Sequence, residues 1–372
     1  MQAKVKTVIN YMEELAPSSI ALSGDPVGLQ LGNPESEITK ILVALDPDQN
    51  AVKEADSIGA EMLITHHPFF YNKLSSIDES YPGGALVASA IRKGLNIFSA
   101  HTNYDAAPRG VSYRLAKTLG LPAGEATVLE VTGSEQLLKL VVFVPAGYED
   151  KIRDALAEAG AGHLGDYSHC TFQLPGTGTF MPGKGTDPFI GGHGQLEKVD
   201  EMRLETILSA TRRSTVINAL LEAHPYEEVA YDLYPLALEG RKIGLGLNLK
   251  LKDPISLEQL IYTCHSSLKP VSLRYWPSKK QQIRQVALCG GSGGSLIENA
   301  SRQGAEVLIS GDFRYHDLKN AQALDLALID AGHDVTEWPG VTYLQQYLEE
   351  RLAADKYETE VCLQTSVSTG WS

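Results

Sequence analysis

Apolar positions in the first third of the chain come in short unbroken runs separated by amphipathic stretches. Residues 38–46 (ITKILVALD), 61–67 (EMLITHH) and 96–102 (NIFSAHT) are apolar and β-branched, the pattern of buried strands. Between and after them, 49–58, 84–93 and 111–119 read as helices, and Gly94 stands where the second would stop. Strand and helix alternate three times, which predicts a parallel sheet with right-handed crossovers. The last third repeats the order, with strands at 285–290, 306–310 and 326–330 and helices at 295–303, 316–325 and 341–352. A final run at 358–364 reads as an edge strand. The middle has another texture. Strands at 137–144, 171–180, 203–208 and 229–234 and helices at 149–159 and 214–223 accompany a glycine-rich loop at 183–194. Gly176 and Gly178 are expected to break the second of these strands. Two β-α-β units in succession predict a small ferredoxin-like module. The expected fold class is therefore α/β. Two similar parallel-sheet halves, 1–129 and 237–372, form one domain, and a ferredoxin-like α+β domain is inserted at 130–236.

Composition narrows the function. The chain has 372 residues, a length that suggests two or three domains. Hydrophobic residues make up 43% and charged residues 21%, ordinary globular usage that argues against a disordered scaffold. The net charge of −14 repels polyanions, so nucleic acid is not an expected partner. The short basic patch of Lys279, Lys280 and Arg284 is too small to change that. No apolar run is long enough to span a membrane, and the first residues lack a signal-peptide core. Cys170, Cys264, Cys289 and Cys362 are scattered and form no CxxC pair, which fits a cytoplasmic protein and excludes a cysteine-based zinc site.

The candidate chemistry lies at strand ends. The second strand finishes in Thr65-His66-His67-Pro68, where a turn lets two adjacent imidazoles reach one site. The third finishes in His101-Thr102-Asn103-Tyr104-Asp105. In the last third, one strand ends at Ser310-Gly311-Asp312 and leads on to His316 and Asp317. The next ends in Ala331-Gly332-His333, with Glu337 one helical turn further. Carboxyl ends of parallel strands are where open α/β sheets bind ligands. Equivalent strands in two similar halves thus carry equivalent polar endings, and a duplication would bring them together around one metal site. Cys289-Gly290-Gly291-Ser292-Gly293-Gly294-Ser295 follows a strand and precedes a helix, but it lacks the Lys-Ser/Thr of a phosphate-binding loop, so a tight turn is the expectation. His163, His169, His193 and His224 have no ligand spacing and read as structural or surface residues. Glu227 and Glu228 read as turn and packing polars.

These motifs, together with Gly28-Leu29-Gln30-Leu31-Gly32 near the start, resemble those of the Nif three-like family, whose members are also named dinuclear metal centre proteins or GTP cyclohydrolase type 2 homologues. The resemblance covers both outer thirds in order. His224-Pro225-Tyr226-Glu227-Glu228 resembles part of the insert of longer bacterial members. The resemblance implies two divalent metal ions per chain, zinc, manganese or iron, held by His66, His67, Asp105, His333 and Glu337. Such a mixed nitrogen and oxygen set with open positions suits a hydrolase acting on a small, nucleotide-like substrate, with opening of the GTP imidazole ring as the reaction the family name suggests. His101 and His316 are the candidate acid–base groups. The alternative is a metal-binding regulatory or metal-handling protein without turnover. The resemblance also implies a homo-oligomer, a toroidal hexamer.

Overall fold

The computed structural model describes residues 1–280 and 282–365. The chain divides into two compact units, one of residues 1–133 and 243–372 and the other of residues 134–242. The first unit opens with helix α1 (Val5–Leu15). Four strands of a five-stranded sheet follow, β1 (Gly28–Leu31), β2 (Lys40–Ala44), β3 (Met62–Thr65) and β4 (Asn96–Ser99), with helices α2 (Gln49–Ile58) and α3 (Pro82–Arg92) as crossovers. β2, β3 and β4 pair in parallel, and every residue of β3 and β4 is buried, which is why their sequences carry no polar alternation. β1 closes one edge antiparallel to β4. Helices α4 (Thr102–Ala106) and α5 (Val111–Thr118) follow β4.

Strand β5 (Thr127–Pro145) leads out of the first unit, and β8 (Tyr231–Ser256) leads back into it. Between them lie α6 (Glu149–Glu158), β6 (Thr171–Phe180), β7 (Glu197–Ser209) and α7 (Arg213–Ala223). The second unit thus has the order β-α-β-β-α-β, with its strands arranged β8-β5-β7-β6. That element order is shared with ferredoxin-like modules. β6 is continuous, because it pairs with β7 from Thr171 opposite Thr206 to Phe180 opposite Glu197, and the ladder carries Gly176 and Gly178 along. The sequence signals expected at 130 and 236 fall inside β5 and β8. The boundaries lie within strands, so no linker composition marks them.

The chain then forms α8 (Leu257–Leu268), β9 (Arg274–Trp276), β10 (Gln282–Ser292), α9 (Ile297–Arg302), β11 (Val307–Gly311), α10 (Tyr315–Ala323), β12 (Ala327–Asp330), α11 (His333–Ala354) and β13 (Glu360–Leu363). β10, β11 and β12 are parallel, with β9 antiparallel at the edge beside β12. β13 joins the sheet of the first half, parallel to β2, and not that of its own half. Helix α11 starts eight residues before the stretch 341–352 that the apolar pattern marks. Pro339 and Gly340 mimic a helix boundary, yet they sit inside the helix. Gly340 is needed there: a methyl group on it would press on Val111 and on the Tyr104 ring, and the Tyr104 hydroxyl donates to its carbonyl at 3.0 Å. Val341, Leu344, Leu348 and Leu352 of α11 share one core with Ile41, Val43 and Ile64. The helix also packs on β10 and β11, so it lies between the two sheets of this unit. No helix among the described residues is long and apolar enough to cross a membrane.

Candidate metal centre

Hydrogen bonding continues past the end of β3, so the two histidines that follow are held in place. The His66 and His67 amides donate to the carbonyls of Ala44 and Leu45, and the Thr65 hydroxyl donates to the His67 carbonyl at 2.7 Å. Beyond β4, His101 is the residue before α4, whose one turn carries Asp105 back towards the same place. From the other half, α11 begins with His333 and presents Glu337 four residues on. Three glycines let that turn come close. A methyl group on Gly291, which has φ +70°, would collide with Glu337 Oε1 and lie 3.3 Å from His333 Nε2. One on Gly311 would sit 2.5 Å from the His333 amide nitrogen, and Gly332 adopts φ +98° just before the helix. The glycine-rich turn after β10 is thus packed against the cluster and against the side chains of Ser310 and Asp317.

The side chains converge on Glu337. His66 Nε2 lies 3.5 Å from Glu337 Oε1 and 3.7 Å from Asp105 Oδ1. His333 Nε2 is 3.2 Å from Glu337 Oε1, and His67 Nε2 is 3.2 Å from Oε2. His101 joins them: its ring centroid is 5.4 Å from that of His66 and 5.8 Å from that of His67. Ligating atoms of His66, His67 and His101 lie within 4.8 Å of one another, as do those of His67, His333 and Glu337. All five residues the family resemblance implies as ligands therefore come together, and the candidate proton carrier His101 stands among them. His316 does not. It is exposed on α10, with its ring against Tyr315.

Each imidazole is anchored through its other nitrogen. His66 Nδ1 donates to the Ala100 carbonyl at 2.8 Å, His67 Nδ1 to Asp46 at 2.7 Å, His101 Nδ1 to Asp25 at 2.8 Å and His333 Nδ1 to Asp312 at 2.8 Å. Asp25 also accepts from the Thr102 amide and hydroxyl. Such outer partners fix ring orientation and tautomer, leaving Nε2 for the centre. Asp312 is thus an orienting carboxylate. Asp317 instead accepts the Arg314 amide at 2.8 Å and caps α10. Asp25 and Asp46 escaped the sequence reading because each is a single aspartate in an ordinary setting. The only available signal for Asp46 was its position at the carboxyl end of the first strand.

The electrostatics show how tightly these groups are coupled. Burial opposes charge on His67, but Asp46 and Glu337 outweigh it and push the imidazolium up to about 10. His333 is likewise raised to about 9, where burial is overcome by Glu337 and Asp312. Burial raises Asp105 to about 7, with Glu337 adding to the effect against His66 and His67. Burial would raise Glu337 too, but His66, His333 and His67 hold it well below the usual carboxylate range. His101 is lowered, because burial and the neighbouring His66 outweigh Asp25. Within the cluster, the buried atoms His66 Nε2 and Glu337 Oε2 lack a hydrogen bond of good geometry, although charged partners lie close by. Buried imidazole nitrogens and carboxylate oxygens gathered at 3.2–3.7 Å are a donor set a divalent cation satisfies, so the residues fit a metal centre.

Comparison with known proteins agrees. A curated relative from Halalkalibacterium halodurans, named GTP cyclohydrolase 1 type 2 homolog, is 42% identical over 361 residues, covering 96% of each chain. A Bacillus subtilis protein of the same name is 38% identical over 326 residues, covering 88% of this chain and 87% of its own. Among solved structures, a Bacillus cereus protein related to NIF3 superposes with a TM-score of 0.81 at 38% identity, covering 99% of this chain and 98% of that one. The family model Duf34/NIF3 (NGG1p interacting factor 3) matches residues 3–368, and the chain belongs to that family.

Proposed function

We propose that the cluster holds two divalent metal ions, of zinc, manganese or iron, and that the chain is a metal-dependent hydrolase of a small nucleotide-like substrate. The observation that carries this reading is the buried pair of His66 Nε2 and Glu337 Oε2, each without a hydrogen bond of good geometry, at the meeting point of four imidazoles and two carboxylates. An unsatisfied buried polar atom costs about 1–3 kcal/mol, so two in one buried cluster call for a shared partner. His66, His67, Asp105, His333 and Glu337 would hold the ions, and a nitrogen–oxygen set of this kind suits zinc, manganese or iron. When bound, the ions would supply Lewis acidity and make water acidic enough to react near neutral pH.

The remaining work falls to the chain's own residues. Asp46 and Asp312 orient His67 and His333. His101, with its lowered pKa, is a neutral imidazole near pH 7, ready to accept a proton at Nε2 while Asp25 stabilises the cation that results. The name of the relatives points towards GTP. Ring opening adds water at C8 of the guanine, breaks a C8–N bond and leaves a ring nitrogen that takes a proton, a transfer within the scope of His101.

The test is metal content per chain, combined with a nucleotide hydrolysis screen with and without chelator. Two ions per chain, chelator-sensitive turnover, and loss of the ions in His66→Ala are the expected results. Unchanged metal content in His66→Ala overturns the site. Two ions without turnover on any nucleotide overturns the hydrolase and leaves a metal-binding regulatory protein.

A further inference from the structure

The second unit contains a cavity of about 730 Å³, within the size range of small-molecule sites. Its walls come from β6, β7, the glycine-rich segment 181–196 between them, and the motif His224-Pro225-Tyr226-Glu227-Glu228. The walls are largely apolar, and the rings are arranged around Tyr226. Phe189 lies 6.1 Å from it, centroid to centroid, and Phe180 lies 6.3 Å away. The motif holds Tyr226 in place. His224 donates from Nε2 to the Phe143 carbonyl at 3.2 Å and accepts the Tyr226 amide on Nδ1 at 3.1 Å. Glu227 accepts the Asp187 amide at 3.0 Å, tying the glycine-rich segment to the same motif.

One carboxylate sits within this apolar shell. Glu201 is 9% exposed and lines the cavity, and its side chain accepts a hydrogen bond from the Tyr226 hydroxyl at 3.1 Å. Its other oxygen lies over Gly178, where any side chain would collide with it. The one cationic lining residue, Arg203, is engaged by Glu205 at 2.9 Å, whereas Glu201, Glu227 and Glu228 are all acidic. Rings around a buried negative charge are the chemistry that recognises an organic cation, through cation–π attraction and a charge-assisted hydrogen bond.

We propose that this cavity binds a small organic ammonium ion, its alkyl or aryl body against Phe180, Phe189 and Tyr226 and its charged head on Glu201. An anion of the same shape meets the Glu201 carboxylate and finds the one lining cation, Arg203, already paired with Glu205, and a neutral molecule forgoes both attractions. The cavity belongs wholly to the second unit and shares no residue with the metal centre, so its occupancy is readable without any catalytic assay.

Calorimetric titration of the full chain with phenethylamine, 2-phenylethanol and phenylacetate tests this. The amine is expected to bind one per chain and at least about tenfold more tightly than the anion, as a charge-assisted contact requires. Glu201→Gln keeps an acceptor for Tyr226 but removes the charge, and it should weaken the amine by about tenfold. Phe189→Ala should weaken it through loss of a ring. Circular dichroism and thermal unfolding of both variants should match the wild type, showing that the second unit still folds. Equal binding of amine and anion, or an amine affinity indifferent to Glu201→Gln, overturns the proposal. So does failure of the amine to bind the wild-type chain while Phe189→Asp lowers the particle mass in light scattering, because a second copy of the chain then covers the cavity.

Discussion

The metal cluster and the aromatic cavity of the second unit are built on opposite plans. In the first, polar atoms converge: three imidazole Nε2 atoms face two carboxylates with a fourth ring beside them, and each ring is braced from behind by another acceptor. In the second, a buried carboxylate accepts the hydroxyl of one ring, Tyr226, against which Phe180 and Phe189 lie. The first demands charge from its ligand and fixes it by many short bonds, whereas the second offers surface and one charge. The difference teaches where rigidity matters. The cluster tolerates no slack, because Gly291, Gly311 and Gly332 leave just enough room for the first turn of α11. The cavity is walled partly by a glycine-rich segment tied down by a few hydrogen bonds, and it accepts variation in the shape of what fills it.

The largest expected effect follows from that tightness. In Gly291→Ala the new methyl meets Glu337 Oε1 and approaches His333 Nε2, and the backbone sits at φ +70°, where a side chain adds strain. Glu337 must swing away, and three imidazoles lose their common partner. Metal analysis of the purified variant should find the ions lost while circular dichroism remains that of the wild type. Retention of full metal content would mean that the cluster has slack after all, and the contrast with the cavity would fail.

Acid should act next most strongly. Without metal, His67 and His333 hold protons up to about 10 and about 9, because Asp46, Glu337 and Asp312 overcome the burial penalty. An ion binding at neutral pH must displace both protons, so affinity rises with pH towards those values and falls below them. His66, also raised, and Asp105, raised to about 7, add to these two, so the loss is at least about a hundredfold per pH unit. Competition with a chelator of known affinity between pH 6 and 8 measures it, and a flat profile would show that these imidazoles are not ligands.

A smaller effect separates the ligands from their supports. Asp46→Asn keeps an oxygen for the His67 Nδ1–H but removes the charge behind the ring. Loss of such an outer partner typically lowers metal affinity about 10–100-fold without abolishing binding. Competition titration should place Asp46→Asn between the wild type and His66→Ala.

The two regions also differ in how far they can be read from sequence. The residues of the cluster lie in short contiguous motifs at strand ends, where the chain's own geometry gathers them: the proposed ligands His66 with His67, Asp105 with the candidate proton carrier His101, His333 with Glu337. Local spacing therefore exposed them. Their supports were hidden, because Asp25 and Asp46 reach the cluster through long-range folding and neither has a distinctive neighbour. The long strands β5 and β8 were partly missed because they cross between units, where neither turn residues nor a composition shift marks an end. Helix α11 was begun too late because Pro339 and Gly340 imitate a boundary. The cavity was invisible for a related reason. Phe180, Phe189, Glu201 and Tyr226 are ordinary residues on four separate segments, and only the β6–β7 pairing and the His224 anchor bring them into register.

The smallest expected effect is the sharpest test of independence. Residues 134–242 contribute neither a ligand nor any of the supports Asp25, Asp46, Ala100 and Asp312. The two ends left by their removal are close, since a methyl group on Gly133 would touch the Ile243 side chain at 3.6 Å. A short glycine-serine link in place of 134–242 should therefore leave metal content per chain unchanged, while phenethylamine binding vanishes with the cavity. A well-folded deletion protein that has lost its metal would show that the second unit stabilises the cluster through contacts beyond its ligands, and the two plans would then be parts of one device.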